Sequence, residues 1–454
     1  MSIDRTTAPS PGTPRPYRFP VVHRKKLDNG LRVLVAEMHN APLVAIRGLI
    51  CSGADRDTAE LAGLASMTAE LLDEGAGTRD AIRLAEDLGL LGASLASGSD
   101  WDASYVSADV LSRNFEPAME IFADVLCRPA LPDSALQRVR SERLMDLLQQ
   151  REEPSAIAGK RFSNLLYGSG TYGNTVLGTP ESVPRLKIDD VRRFYAQHYI
   201  ANNAAIVIAG DIDAEQAVRQ VTRLFSPWKS GPEPHRPRIS PAPIDRSKIY
   251  LVDRPNAVQS EIRIGHIGVA RNCDDYFPLT VMNALLGGVF NSRINLNLRE
   301  RHGYTYGARS AFAFRRQAGP FVVSAPVRNE VTHHSLGEVL EELRRIRTGA
   351  VETRELEDTR SYLAGVFPAT VQSASDIAGR LVDMEVFGLP HDYFDHYREN
   401  IAAVTAKDVT EVANKYIDPD RVLIVIVGNA TQIREPLGGL GLPIHDLDVD
   451  GKIA

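Results

Sequence analysis

Two polar residues in the second half of the chain, Arg299 and Tyr306, have side chains suited to binding a peptide backbone. Apolar residues at helical spacing precede Arg299, and Gly303 just beyond it is expected to form a left-handed C-terminal cap. The alternation of residues from Tyr306 to Phe314 predicts a strand. A turn at Gly303 would then bring the polar ends of Arg299 and Tyr306 to one place.

Hydrogen-bond donation is the chemistry that this pair offers. A guanidinium presents a fixed fork of donors and a phenol a directional hydroxyl, and both suit a peptide carbonyl or the oxyanion it becomes under attack. The alternative is that Arg299 is a solvated charge that complements the helix dipole, and that Tyr306 is a half-buried strand residue. The residue types alone leave both interpretations open.

The composition is that of a globular protein with more than one domain. Of the 454 residues, 43% are hydrophobic and 24% charged, which is enough for two or more domains with their own cores. The net charge of −6, with short and interrupted basic runs, argues against nucleic acid as a partner. Three cysteines without a CxxC pair indicate neither a disulfide framework nor a cysteine zinc site.

The sequence gives no sign of a membrane segment or an export signal. The first twenty residues are polar and rich in proline, and they lack the apolar core of a secretory signal. No run of eighteen apolar residues occurs. We therefore expect a cytoplasmic protein without a membrane partner.

A proline-rich segment divides the chain into two halves. Six prolines fall within the seventeen residues 227–243, a density that no helix or central strand tolerates. On either side the pattern runs strand, strand, helix, strand, long helices and a closing apolar strand that ends in glycine. We interpret this as a tandem duplication of an α+β unit, in which an antiparallel or mixed sheet is covered by helices.

The domain boundaries follow from this division, with one core expected in each domain. They give a disordered tail at 1–20, a first domain at 21–226, a linker at 227–247, a second domain at 248–440 and a second tail at 441–454.

The residues around Arg299 resemble a known peptidase signature. The pattern is Leu298-Arg299-Glu300-x-x-Gly303-x-x-Tyr306, preceded by Gly287-Gly288 and by Ser292-Arg293. It is similar to the C-terminal-domain signature of the pitrilysin/insulinase family of zinc peptidases, closest to the branch that contains the mitochondrial processing peptidases and their bacterial relatives. The resemblance extends from about Lys25 to about Asn429 and implies a two-domain half-clamshell.

Active members of that family carry an inverted zinc motif, His-x-x-Glu-His, on a helix, with a third ligand on a later helix. The corresponding helix is predicted over Thr58–Leu72, but Ser66, Ala69 and Glu70 stand at the motif positions. Glu142 is the expected counterpart of the third ligand. Because two carboxylates and a serine hydroxyl make a poor zinc site, we expect no metal or other cofactor in this chain.

The resemblance implies a non-catalytic subunit. Family members of this size pair into closed chambers, and in some heterodimers only one subunit holds zinc. Loss of the motif with retention of Arg299 and Tyr306 is expected of the zinc-free partner. Such a chain would supply both residues in trans to a zinc-bearing homologous subunit, where they would bind a peptide substrate and stabilise the oxyanion.

Three alternatives stay open. One is a purely structural subunit, like the zinc-free core proteins of respiratory complexes that share this fold. A second is a peptide-binding or chaperone-like protein that uses the half-chamber without hydrolysis. The third, an active metallopeptidase that works alone, is disfavoured by the degenerate motif.

Overall fold

Two six-stranded sheets organise the protein, as seen in a computed structural model that describes residues 17–168 and 171–452. The first sheet contains β1 (Val22–Lys26), β2 (Arg32–Glu37), β3 (Leu43–Ile50), β4 (Ser94–Ser99), β5 (Ser104–Leu111) and β6 (Ala204–Gly210). The second contains β7 (Lys248–Asp253), β8 (Gln259–Ile267), β9 (Arg309–Phe312), β10 (Pro320–Arg328), β11 (Leu423–Gly428) and β12 (Ile444–Leu447).

Helices cover both sheets. They are α1 (Leu64–Glu70), α2 (Ala81–Leu91), α3 (Phe115–Cys127), α4 (Asp133–Gln150), α5 (Pro154–Tyr167), α6 (Ile188–His198), α7 (Ala214–Phe225), α8 (Tyr276–Asn283), α9 (Arg293–Asn295), α10 (Thr332–Thr348), α11 (Thr353–Val366), α12 (Ala374–Phe387), α13 (Tyr397–Ala403), α14 (Ala406–Tyr416) and α15 (Ala430–Gly438). Two π-helical segments, Ala284–Gly288 and Leu296–Arg301, flank α9. Within 17–168 and 171–452, no helix combines the length and hydropathy needed to cross a bilayer.

The strand order confirms the predicted duplication. The first sheet runs β1-β2-β6-β3-β5-β4 and the second β12-β7-β11-β8-β10-β9. One inner pair of strands is parallel in each sheet, namely β2 with β6 in the first and β7 with β11 in the second. The other inner pairs are antiparallel. Two mixed sheets with helical layers give the α+β class expected from the sequence.

The two ends of the chain differ from the predicted tails. Residues 1–16 lie outside the described residues, but Phe19 is buried and stacks on Phe394. The expected tail at 441–454 instead contributes β12, which pairs in parallel with β7. The strand is short and only Leu447 in it is fully buried, so its apolar signal is weak. The linker 227–247 contains neither helix nor strand.

Each sheet is buried on both faces, and this explains the apolar strands. In β6, Ile206 and Ile208 point into the core of the first half, whereas Val207 and Ala209 point to the opposite face. A strand covered on both faces reads as a continuous apolar run rather than as an alternation.

The second face of each sheet is covered by a helix from the other half. Helix α12, from the second half, packs on β3 and β6, with Leu381 fully buried there. Helix α5, from the first half, packs on β8 and β11 of the second sheet. Each half therefore has its own core on one face of its sheet, as expected, and the exchange of equivalent helices adds a second cluster on the other face that the two halves share.

The turn between β9 and β10 adds a further contact between the halves. The Arg315 guanidinium lies 3.7 Å from the centroid of the Trp101 ring and 4.5 Å from that of Tyr172. The backbone N–H of Arg316 donates to Asp102 Oδ2 at 2.8 Å. Cation–π stacking and a charge-assisted hydrogen bond thus fix this turn against the first half.

The helix exchange predicts that a cavity made in the second half of the sequence destabilises the first sheet. We expect Leu381→Ala to lower the free energy of unfolding by about 2–5 kcal/mol, because the residue is fully buried on the outer face of that sheet. Urea unfolding followed by the fluorescence of Trp101 and Trp228, both outside α12, measures the effect.

The matched control is Leu90→Ala, in which the same side chain is removed from a position that is 81% exposed. It should change the free energy of unfolding by no more than about 0.5 kcal/mol. A tryptophan transition that stays in place in Leu381→Ala would show that the halves fold independently.

Candidate functional site

Arg299 lies in the π-helical segment Leu296–Arg301, which ends as the sequence predicted. Gly303 adopts a left-handed conformation with φ of 63°, and its N–H donates to the carbonyl of Arg299. The N–H of Tyr304 then donates to the carbonyl of Leu298. These bonds turn the chain back on the helix end, so that the segment after Gly303 leaves beside Arg299.

Tyr306 does not open a strand, and this prediction is wrong. Strand β9 begins at Arg309, and Tyr306 lies in the loop before it. The β9–β10 register, continued backwards, would place Gly307 opposite Pro326, which has no N–H to donate to a ladder. Thr305 closes the loop instead, because its hydroxyl accepts from the N–H of Gly307 and donates to the carbonyl of Pro326.

The functional ends of both side chains are available. Tyr306 is 90% exposed, and its hydroxyl has no hydrogen-bond partner among residues 17–168 and 171–452. Arg299 lies with its guanidinium carbon 4.5 Å from the Phe290 ring centroid, and its Nε is 3.4 Å from the carboxylate of the adjacent Glu300. Cation–π contact of this kind orients a guanidinium and leaves donors unused.

The glycines and polar residues ahead of the pair have structural roles. Asn295 donates to the carbonyl of Phe290 and accepts from the N–H of Ala308, which ties the two loops that flank Arg299. A Cβ at Gly287 would lie 2.5 Å from the backbone nitrogen of Ser310, so the close approach of the chains there needs glycine. These contacts hold the Phe290 loop and the Tyr306 loop in register.

Arg293, the other arginine of the signature, is already engaged. Its guanidinium forms a two-pronged ion pair with Glu355 at 2.8 and 2.7 Å, and its side chain is only 15% exposed. This ion pair joins α9, which carries Arg293, to α11. Arg293 therefore supports the site, while Arg299 is the arginine left free to contact a ligand.

The degenerate motif lies on α1, which begins at Leu64 rather than at Thr58. Gly63 precedes it with φ of 94°, and the carboxylate of Asp57 accepts from the N–H groups of Gly63 and Ala65 at 2.8 and 3.0 Å. Burial raises the pKa of Asp57 to about 8, although these two donors lower it in part. The helix start is thus fixed by a buried carboxyl group seven residues upstream.

Two of the three motif positions contact an arginine that the sequence analysis missed. Arg143 on α4 donates to Ser66 Oγ at 2.9 Å and forms an ion pair with Glu70 at 2.5 Å. Ser66 Oγ in turn donates to the carbonyl of Val176. The Arg143 side chain is 2% exposed, and Ala69, on α1 between Ser66 and Glu70, is fully buried. A buried cation, held by internal partners, thus contacts two of the degenerate motif positions.

Glu142 does not complete this cluster, contrary to the expectation. Both of its carboxylate oxygens accept from Arg138, and its side chain is 52% exposed on the outer face of α4. A signal for Arg143 was present, since it falls in register with the buried residues Val139 and Leu147 of the same helix. An arginine at an apolar position of a helix indicates a buried partner.

The arrangement does not fit zinc. Zinc needs several imidazole, thiolate or carboxylate ligands around a space free of positive charge. Here a guanidinium stands between Ser66 and Glu70, and within the described ranges no three His, Cys, Asp or Glu residues form a metal-binding group.

Two family models match the chain and place it among peptidases. Residues 32–180 match the insulinase family, peptidase family M16, and residues 185–363 match the "Peptidase M16 inactive domain". Together the matches cover most of the chain. The protein therefore belongs to peptidase family M16, as a member without the zinc motif of active enzymes.

Individual relatives include proteins with different assignments. An "uncharacterized zinc protease" of Streptomyces coelicolor is 24% identical over 89% of each chain. A "non-peptidase homolog" of Helicobacter pylori is 21% identical over 87% of this chain and 91% of its own length. The crystal structure of a "peptidase M16 inactive domain" from Pseudomonas fluorescens, 27% identical, superposes with a TM-score of 0.84 over 90% of this chain and 98% of its own.

The position of Arg143 predicts that restoring the motif alone does not restore a metal site. In a variant with Ser66→His, Ala69→Glu and Glu70→His, we expect substoichiometric zinc after dialysis, measured by atomic absorption, because the buried guanidinium repels the cation.

Adding Arg143→Glu to that variant should raise the zinc content towards one ion per chain, since it removes the opposing charge and adds a carboxylate ligand. Full zinc loading of the variant that keeps Arg143 would contradict the view that this residue excludes the metal.

Proposed function

We propose that this protein is the non-catalytic subunit of a heterodimeric zinc peptidase. In this proposal it binds a zinc-bearing homologous subunit and contributes Arg299 and Tyr306 to a shared site for peptide substrates. The observation that carries the proposal is the contrast between the two halves. The former metal position is filled by Arg143, whereas Arg299 and Tyr306 keep free donors at the surface.

The pairing of Arg143 with Ser66 and Glu70 in the first half supports a role without metal. A buried cation that is paired with Ser66, Glu70 and a backbone carbonyl links α1 to α4 and leaves no ligand set. Removing one partner of such a buried pair is costly, which keeps the contacts in place. The relative from Helicobacter pylori that is called a non-peptidase homolog fits the same interpretation. The chain alone is expected to be inactive, and the zinc would reside in the partner.

The exposed pair in the second half supports a role in substrate binding. An aromatic side chain that is 90% exposed at a tightly held loop has no structural function in the isolated chain. A guanidinium oriented by Phe290 and an exposed phenol on a loop that Thr305 holds suit a peptide carbonyl and the oxyanion that develops from it. Both would hold the substrate backbone near the partner's catalytic centre.

The proposal predicts that Arg299→Ala and Tyr306→Phe reduce turnover by the complex without dissolving it. Removal of one oxyanion donor costs about 10²–10³ in kcat. Cleavage of a quenched-fluorescent peptide by the purified complex measures turnover, and size-exclusion chromatography checks that both subunits are still present. Wild-type turnover by both variants would refute the role in trans.

Matched controls lie in the same segment. Arg301→Ala removes an exposed arginine from the same helical turn, and Tyr304→Phe removes the hydroxyl of a ring that stacks on His302. Both should leave turnover within about threefold of wild type, as surface changes away from the substrate do.

The existence of the heterodimer is tested separately. The peptide is offered to this protein alone, to a zinc-motif homologue from the same organism alone, and to their mixture. Activity confined to the mixture and lost with a chelator supports an obligate heterodimer. A homologue that is equally active alone and in the mixture would overturn it.

A further inference from the structure

A polar cavity of about 620 Å³ lies where the first half, the linker and the second half meet. Its walls come from the edge of the first sheet, from linker residues 233–236, from the β9–β10 turn and from α12. Four of the lining side chains are arginines, namely Arg32, Arg56, Arg236 and Arg316. Neither the zinc motif nor the Arg299 loop contributes to it, so the site is independent of the function proposed above.

The acidic residues nearby do not balance these arginines individually. Arg32 is paired with Glu385, at 2.6 Å. The buried carboxylate of Asp55 is shared, since it lies 3.2 Å from Arg56 Nε and 3.8 Å from Arg236 Nε.

Two further acids lie near the remaining arginines without pairing with a guanidinium. Asp102 accepts from the hydroxyl of Tyr172 and from the backbone of Arg316 rather than from its side chain. Glu233 lines the cavity from an exposed position on the linker. Arg316 thus has no acid of its own.

Buried donors outnumber buried acceptors at the same place. The Arg316 guanidinium has no hydrogen bond or ion pair with any described residue, and its Nε and Nη2 are shielded from solvent. Arg56 Nε and Arg236 Nη1 are likewise shielded and make no hydrogen bond with a described residue, although Arg56 Nε lies within ion-pair distance of Asp55. At the same place only one shielded acceptor atom, Asp55 Oδ2, makes no hydrogen bond with a described residue. Such a set is complemented by a group rich in acceptors.

Electrostatic effects on neighbouring groups point the same way. Burial and the charge of Arg56 lower the pKa of His198 to about 4. Burial, followed by the charge of Arg316, also lowers the pKa of Arg236. The charges of Arg56 and Arg316 thus add to burial in disfavouring the protonated forms of these two groups.

We propose that this cavity binds a compact tetrahedral oxyanion, a phosphate group, held by Arg56, Arg236 and Arg316. Guanidinium forks bind phosphate through paired, charge-assisted hydrogen bonds, and Arg316 offers a free fork of this kind. Arg56 and Arg236 each add one unused donor, Nε and Nη1 respectively, because both Arg56 terminal nitrogens and Arg236 Nη2 donate to backbone carbonyls. The three arginines come from the first half, the linker and the second half respectively. The bound anion therefore joins three segments of the chain and stabilises their arrangement.

Thermal unfolding of the full chain in potassium phosphate, compared with potassium chloride of equal ionic strength, tests this proposal. A ligand that binds only the native state raises the unfolding midpoint in a concentration-dependent manner. We expect Arg316→Gln to weaken the apparent affinity for phosphate about tenfold or more. Without phosphate, the variant should unfold at the wild-type temperature or above, because a charge near Arg56 and Arg236 is removed.

Arg238→Gln is the matched control, because Arg238 is an exposed linker arginine that does not line the cavity, and it should respond to phosphate as the wild type does. O-phosphoserine in a parallel titration distinguishes a phosphate ester from free phosphate as the preferred form. No phosphate-dependent shift in the wild type would overturn the proposal. So would equal shifts in the wild type and Arg316→Gln, or an equal shift with acetate.

Discussion

The need to bury both faces of two sheets governs the architecture of this protein. Central strands such as β6 and β11 carry apolar side chains on both sides, and the helices of one half cover only one side. The halves meet this need by exchange, since α12 covers the first sheet and α5 the second. Neither sheet buries its second face without the other half, so we expect the duplicated chain to unfold as one cooperative body.

Arg143 shows how a family site can be lost without loss of the fold. Ser66 and Glu70 stand at the two histidine positions of the motif and Ala69 at its glutamate, and a buried guanidinium from α4 joins Ser66 to Glu70. A buried charge is tolerated only where partners compensate it. The same contacts that satisfy Arg143 occupy the position where a cation would bind.

Three arginines illustrate how the available acceptors decide which donors of a guanidinium stay unpaired. The guanidinium of Arg293 forms two hydrogen bonds with the carboxylate of Glu355 and has a structural role. Arg299 stacks on Phe290, and its guanidinium makes no hydrogen bond with a described residue. Arg316 keeps its donors at a buried junction, where a small anion rather than a peptide is the complementary partner. The residue type is the same in all three, and the available acceptors decide the role.

The sequence by itself determined the α+β duplication, the proline-rich division, the cap at Gly303 and the absence of the zinc ligands. These features depend on local periodicity and on residue identity, and both can be inferred from the sequence alone. Only the tertiary structure decided which helix covers which sheet face, because an apolar face does not specify its partner.

Several details of the candidate sites and of the second sheet were also decided only by the tertiary structure. The position of Tyr306 depends on Pro326, which ends a ladder from another strand, and β12 depends on a vacant edge beside β7. Arg143 and Glu142 are neighbours in sequence, yet helix geometry buries one and exposes the other. The arginine cavity combines residues more than 250 positions apart, and long-range proximity of that kind is set by packing rather than by any local pattern.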